Sequence, residues 1–239
     1  MIIASNIEKS YGPQTLFEEV SFLINKGERI GLVGKNGTGK STLFRMILGL
    51  ESLDSGILST PKGYRIGALE QHIHFTQPTV LKECIEALPP EKQWDHYKAE
   101  IILSGLGFSE QDFEKDPATF SGGFQVRINL CKALLADPNM LLLDEPTNYL
   151  DILSLRWLKE YLNKWPGEMM LITHDRDFMD NVTTHTLGLH RKQARKVKGG
   201  TIKFYEMMIQ EEETYEQTRK NLENKRKEMQ SLIDRFRAK

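Results

Sequence analysis

The chain has only two cysteines, Cys84 and Cys131, in 239 residues. A pair of cysteines cannot complete a zinc site and supplies no disulfide framework, so both read as buried structural thiols in a reducing compartment. Long apolar runs are missing too. No stretch approaches the about 18 residues that a membrane-spanning helix needs. Met1-Ile2-Ile3-Ala4-Ser5 lacks the charged start and apolar core of a secretory signal. The expectation is a cytoplasmic protein with no membrane insertion. Charge of one sign is not in excess, since 32 Lys and Arg face 33 Asp and Glu for a formal charge of -1. That balance argues against a general nucleic-acid binder, although local basic patches remain possible. Apolar content of 39% and charged content of 27% fit a globular protein with one large domain, or one domain and an appendage.

The most informative run present is Gly34-Lys35-Asn36-Gly37-Thr38-Gly39-Lys40-Ser41, followed by Thr42. It fits the phosphate-loop pattern G-x-x-x-x-G-K-[ST] at every fixed position, a match that chance supplies about once in a hundred chains of this length. Glycine lets the backbone turn its N–H groups toward phosphate oxygens, and the helix N-terminus that follows adds a favourable dipole. Lys40 can reach β- and γ-phosphates, and the Ser41 hydroxyl can ligate Mg²⁺. The surroundings agree. Arg29–Val33 reads as a strand before the loop, and Ser41–Leu48 as an amphipathic helix after it, stopped by Gly49.

Turn residues at Tyr11-Gly12-Pro13-Gln14 separate strand-like Ile2–Ile7 from Val20–Ile24. Residues 76–137 read as mainly helical, broken at Pro78, Pro89-Pro90, Gly105, Gly107 and Pro117. Met140–Leu143 and Met169–Thr173 are solid apolar runs of the kind found in strands buried on both faces. Such strands, alternating with helices around a glycine loop, imply a parallel α/β core. The first ends in Asp144-Glu145, where Asp144 suits a metal shell and Glu145 could polarise a water for attack on a γ-phosphate. His174 follows the second, placed to hydrogen-bond a phosphate oxygen in a positional role. Beyond Gly199-Gly200 the chain has neither Gly nor Pro. Five glutamates between Glu206 and Glu216 give way to eight bases and three acids after Gln217. Leu222, Met229, Leu232, Ile233 and Phe236 form a stripe at helical spacings, and the absence of a stop signal makes the helix look cut.

The order of these motifs, with Phe120-Ser121-Gly122-Gly123-Phe124-Gln125 between them, resembles a nucleotide-binding domain of the ATP-binding cassette (ABC) superfamily over roughly residues 1–190. The resemblance implies an α/β fold with a P-loop NTPase core of ABC type. Its parts would be a mostly parallel sheet, an antiparallel β subdomain and a small helical subdomain at about 76–137, within a domain of residues 1–200. A charged linker helix of residues 201–239 would follow. The expected cofactors are ATP and Mg²⁺. The resemblance further implies that Tyr11 stacks on adenine and that Gln71, after Ala68-Leu69-Glu70, touches Mg²⁺ and the attacking water. Ser121, Gly122 and Gly123 match the family signature, Asp144 and Glu145 the Walker B acids, Asp151 the D-loop and His174 the switch histidine. Singly, Tyr11 or His174 would serve equally as a core residue, and Gln71 as a solvated amide. The signature departs from the commonest form at Phe120 and Phe124, with Gln125 one position late. In this family the signature acts in trans across a head-to-tail pair, so a second ABC domain, or a homodimer mate, is an expected partner.

Asp144-Glu145-Pro146-Thr147-Asn148-Tyr149-Leu150-Asp151 and Thr173-His174-Asp175-Arg176-Asp177-Phe178-Met179-Asp180 are similar to runs of the ABC-F class. Its members are soluble, carry two ABC domains and act mainly on ribosomes. Ile102–Phe108 is similar as well, and Leu232–Lys239 resembles the return segment of that class's linker. About fifty residues separate Gln71 from Ser121, too few for the helical arm that some members insert. Gly199-Gly200-Thr201 stands where the class usually has Gly-Asn-Tyr. The class implies a ribosome or ribosomal RNA partner and a role in translation or antibiotic resistance. The bases after Gln217 and the run Arg191–Lys198 suit RNA phosphates or a solvated face equally. The alternative is the ATPase subunit of an ABC membrane transporter.

Overall fold

Apolar and polar residues alternate on both sides of Gly12-Pro13, and both arms run up to that turn in the structure, a computed structural model describing residues 1–69 and 74–237. Strands β1 (Ile2–Tyr11) and β2 (Gln14–Ile24) pair antiparallel from Ile2 opposite Ile24 to Tyr11 opposite Gln14. Both are longer than the apolar runs alone suggest, because the ladder bonds continue through the polar residues beside the turn. β3 (Arg29–Gly34) leads into the glycine loop and helix α1 (Lys40–Ile47). β4 (Ser55–Ser59) then pairs on the free edge of β1, completing a three-stranded antiparallel sheet of order β2-β1-β4.

The central sheet is built from β3, β5 (Ile66–Ala68), β6 (Met140–Asp144), β7 (Glu168–Ile172), β8 (His185–His190) and β9 (Gln193–Lys198), in the order β5-β6-β7-β3-β8-β9. All neighbours are parallel except β9, which folds back on β8 as a hairpin. The basic run Arg191–Lys198 is therefore that turn and the edge strand, where lysine also blunts unwanted pairing. Met140–Leu143 and Met169–Leu171 are almost wholly buried, as strands covered on both faces should be. Leu43, Phe44, Met46 and Ile47 of α1 fill the space between the two sheets, joining Ile7, Phe17 and Phe22 to Ile30, Met170 and Leu187 in one core.

Between β5 and β6 lie α2 (Val80–Ile85), α3 (His96–Gly105) and α4 (Gly122–Leu135), which pack on one another. Val80, Cys84, Leu103, Ile128 and Cys131 are buried there, and both thiols are free. Burial pushes the Cys131 thiol well up, so it stays protonated. Glu83 is fully buried in the same region. It accepts hydrogen bonds from the amides of Thr76 and Gln77 and pairs with Lys132, which satisfies an otherwise costly charge. α5 (Ile152–Asn163) links β6 to β7, and α6 (Arg176–Val182) links β7 to β8.

The chain forms two compact units, Met1–Thr201 and Ile202–Lys239. Asp180 accepts hydrogen bonds from the Thr201 amide (2.8 Å) and hydroxyl (2.9 Å), capping the start of helix α7 (Thr201–Arg237). α7 runs unbroken through Arg237. Residues 232–237 of the run that resembles a return segment lie within this helix, and residues 238–239 lie outside the described residues. Ile209, Tyr215, Leu222 and Met229 are exposed along it, whereas the side chains of Leu232, Ile233 and Phe236 lie outside the described residues. No described helix is long and apolar enough to cross a membrane.

The edge hairpin is tied to the turn before β3 through Glu28. Burial disfavours its charge, but bonds from the Asn25 amide and side chain and from the Lys196 ammonium outweigh that and hold its carboxyl down to about 2, from 4.5. A lowered folded-state pKa stabilises above the unfolded value and loses that contribution as pH falls through the folded one. Stability should therefore drop between pH 4.5 and about 2, and Glu28→Gln should flatten this acid limb in urea midpoints measured against pH. An unchanged slope in that window would show that the network does not hold Glu28.

Candidate active site

Parallel pairing brings three strand ends to one edge of the central sheet. Asp144 closes β6 opposite Ile172 of β7, and Gly34 closes β3 opposite Leu189 of β8. The loop Lys35–Gly39 leaves β3 and enters α1 without a side-chain cap, so the first-turn amides of α1 have no partner within the helix. Gly39 has φ +97°, and a Cβ there would sit 2.7 Å from the Phe17 ring. Only glycine lets the loop pass so close to the β1–β2 hairpin. Thr38 braces the turn through its hydroxyl, 2.8 Å from the Lys35 carbonyl oxygen. Lys40 arches back over the loop, its ammonium 2.8 Å from Gly34 O and 3.3 Å from Lys35 O. The next side chain, Ser41, donates to Asp144 Oδ2 at 3.2 Å, and Thr42 continues α1.

Burial pushes the Asp144 carboxyl above its ordinary range, against the pull of the Ser41 hydroxyl and the Lys40 ammonium. A hydroxyl and a carboxylate oxygen side by side are hard donors, and a buried carboxylate short of positive charge is what a small divalent cation compensates. The donor set fits Mg²⁺.

Glu145 follows at φ +50°, a strained backbone for a residue with a side chain, and its amide donates to Ile172 O at 2.8 Å. Its carboxylate is mostly buried. Oε2 accepts from the His174 amide at 3.3 Å, and Oε1 lies 3.5 Å from His174 Nε2. The His174 ring itself is 82% exposed, which rules out the core-histidine reading. Three further residues of its run are structural. Asp175 caps α6 through the Phe178 amide, Phe178 is buried and Asp180 caps α7.

Ser121, Gly122 and Gly123 belong to a second cluster at the start of α4. The two departures from the common signature pack together there. Phe120 and Phe124 meet Phe108 edge-on, with ring centroids 5.5 and 5.1 Å from it. Gln125 donates back to Phe120 O at 2.9 Å, closing the turn before the helix. Asp151 is the N-cap of α5, accepting from the amides of Leu153 (3.0 Å) and Ser154 (2.9 Å). Its other oxygen meets Arg127 at 3.1 Å. Gln71 lies outside the described residues.

Tyr11, at the end of β1, is half exposed. Lys9, almost fully buried, lies behind it with its ammonium 5.1 Å from the ring centroid. Bonds to Glu51 (2.8 Å), Ser52 O (2.8 Å) and Asp54 (3.4 Å) hold that ammonium in place. Lys9 and Arg127 escape motif reading because neither belongs to the motifs. Each nevertheless leaves a signal: Lys9 takes an inward position in an alternating strand, and Arg127 shares a stripe of α4 with half-buried Phe124 and buried Ile128 and Cys131.

With this geometry in place, comparison with known proteins decides the family. The ABC transporter family model matches residues 17–148. The chain belongs to the ATP-binding cassette family. Its α/β core, antiparallel sheet and helical subdomain are those of an ABC ATPase domain. It is 35% identical to an uncharacterised ABC transporter ATP-binding protein, YfmR of Bacillus subtilis, over 92% of this chain and 41% of that protein. It is 38% identical to the energy-dependent translational throttle protein EttA of Escherichia coli, over 88% of this chain and 37% of that protein. The chain thus spans about two-fifths of the length of the curated relatives it matches. Among solved structures, the ATP-binding subunit of an ABC transporter aligns with TM-score 0.73 at 23% identity, covering 83% of this chain and 90% of that one. A dimeric ATP-binding cassette in a post-hydrolysis state with ADP and Pi aligns with TM-score 0.66 at 22% identity, over 83% and 98%. These two likenesses concern the fold.

In this ABC domain the cap at Asp151 can be separated from its ion pair. Asp151→Ala should cost about 1–2 kcal/mol of unfolding free energy by denaturant titration, whereas Asp151→Asn, which can still cap, should recover most of it. Equal losses for both would place the stabilisation in the ion pair instead.

Proposed function

We propose that this domain binds and hydrolyses ATP within a soluble ABC-F protein that works on the ribosome. The observation that carries the hydrolytic part is the union of two pairs at one sheet edge: Ser41 with Asp144, and Glu145 with His174. In this reading the backbone of Gly34–Gly39, with Lys35, Asn36 and Thr38, cradles the β- and γ-phosphates, and Lys40 neutralises them. Ser41 and Asp144 hold Mg²⁺, aided by Gln71, and the cation supplies charge compensation to the phosphates. Glu145 polarises the attacking water, His174 steadies it and the γ-phosphate, and Tyr11 stacks on the base. Ser121, Gly122 and Gly123 reach the nucleotide of a paired ABC domain, with Asp151 at the same face.

Closure of two such domains on ATP, and release after hydrolysis, gives a two-state engagement whose output depends on differential affinity for the closed form. Three things support the ribosome as target: the runs at Asp144–Asp151 and His174–Asp180, the long charged helix α7, and the translational role in the name of the 38% identical relative. Regulation of translation, or protection from a ribosome-targeting antibiotic, are the two outcomes of that activity. A transporter ATPase subunit is the second reading, supported by the description of the matching family and of the aligned ATP-binding subunit. Co-sedimentation with ribosomes in the presence of ATP favours the first; co-purification with a membrane protein favours the second.

Glu145→Gln should leave ATP affinity within about twofold while turnover falls about a hundredfold or more, measured with a paired domain present. The variant should also lengthen residence on ribosomes. Normal turnover in it would remove Glu145 from the role assigned here.

A further inference from the structure

Arg127 has no part in the nucleotide chemistry above, yet it is only 8% exposed and richly bonded. Its Nε and Nη2 both donate to the Tyr149 carbonyl, at 2.9 and 2.5 Å. Nη1 donates to Leu106 O at 2.8 Å and to Asp151 Oδ2 at 3.1 Å. The guanidinium also stacks 4.6 Å from the Phe124 ring centroid, inside its own helix. Room for it is made by Gly107, at φ +90°, where a Cβ would stand 2.8 Å from Nη1. The carbonyl it grips belongs to Tyr149, at φ +67°, a strained position for a side-chain-bearing residue. One turn away, a Cβ on Gly123 would lie 3.2 Å from Tyr149 Cβ, so the first turn of α4 abuts the same residue.

We propose that Arg127 is a positioning residue that locks the start of α4 to the loop 145–151, so that Ser121-Gly122-Gly123 and Asp151 meet a second domain as one body. The inference rests on the reading that Ser121–Gly123 act on a nucleotide held by that domain. Arginine is required because a planar fork can hold one carbonyl with two donors while a third reaches a carboxylate; an ammonium is a point charge and holds fewer partners in fixed geometry. The buried charge offsets its desolvation by these bonds, which it donates to the carbonyls of Leu106 and Tyr149 and to Asp151.

The test is a cycle of Arg127→Lys, Ser121→Ala and their double variant, with steady-state turnover of the whole protein and ATP binding as readouts. Arg127→Lys should lower kcat about tenfold with KM for ATP within about twofold, and the double variant should be no slower than Ser121→Ala, because both remove the same contact. Unchanged kcat in Arg127→Lys, or effects that multiply in the double variant, overturns the proposal. Full turnover in Ser121→Ala overturns the underlying reading instead. Amide exchange then still judges the lock. The bonded amides of Gln125, Asn148 and Leu150 should lose protection together in Arg127→Lys while that of Leu43 at the start of α1 keeps its own, and loss on one side alone refutes it. Gly107→Ala, which displaces the guanidinium and keeps Arg127, should reproduce the pattern if the lysine variant folds poorly.

Discussion

Parallel pairing of β6, β7 and β3 is the constraint on which the site depends. Parallel strands direct their carboxyl ends the same way, so the glycine loop after β3, the acids ending β6 and the histidine after β7 arrive at one edge without any contact between their side chains being needed. The register is set by apolar residues buried on both faces, which leave no slack for a slip. The antiparallel sheet adds a second wall. Its Phe17 presses on Gly39, so the curvature of the loop is fixed by packing from outside as well as by its own glycines.

Against this apolar frame, the buried charges have a common logic. Glu83, Lys9 and Arg127 are each held by several partners, at least one of them on a segment distant in the chain. Removing one partner from such a group costs more than the group contributes, so these residues specify geometry more than they add stability. Lys9 fixes the end of β1 behind Tyr11, Glu83 fixes α2 against α4, and Arg127 fixes α4 against the loop after β6. Each ties together two segments whose apolar packing alone would allow several arrangements.

The phosphate loop and β6 were legible from sequence because their chemistry is local: glycines at fixed spacing, a lysine, a hydroxyl, and acids ending a solid apolar run. The extent of the β1–β2 hairpin was only half legible. Its ladder continues through polar residues near the turn, where hydropathy falls but backbone bonding does not. β5 spans only Ile66–Ala68 and has no pattern of its own; it exists because β6 offers an edge. The Arg191–Lys198 run gave no strand signal for a similar reason, since its charges line an edge. Lys9 and Arg127 depend on partners far along the chain, and spacing cannot reveal those. Phe120 and Phe124 depart from the common motif, and the physical reason, the Phe108 ring on which both pack, lies outside it in sequence.

The loop from Glu145 to Asp151 joins the two clusters. At one end Glu145 is held beside His174; at the other, Asp151 caps α5 and meets Arg127. Between them the backbone passes through positive φ at Glu145 and again at Tyr149, although neither is glycine. Strain of this kind persists only where surroundings over-determine it, and here both points are held by bonds from outside the loop: Ile172 O takes the Glu145 amide, and Arg127 takes the Tyr149 carbonyl. A short loop pinned at both strained points transmits displacement at one end to the other, because it has few soft dihedrals left to absorb it.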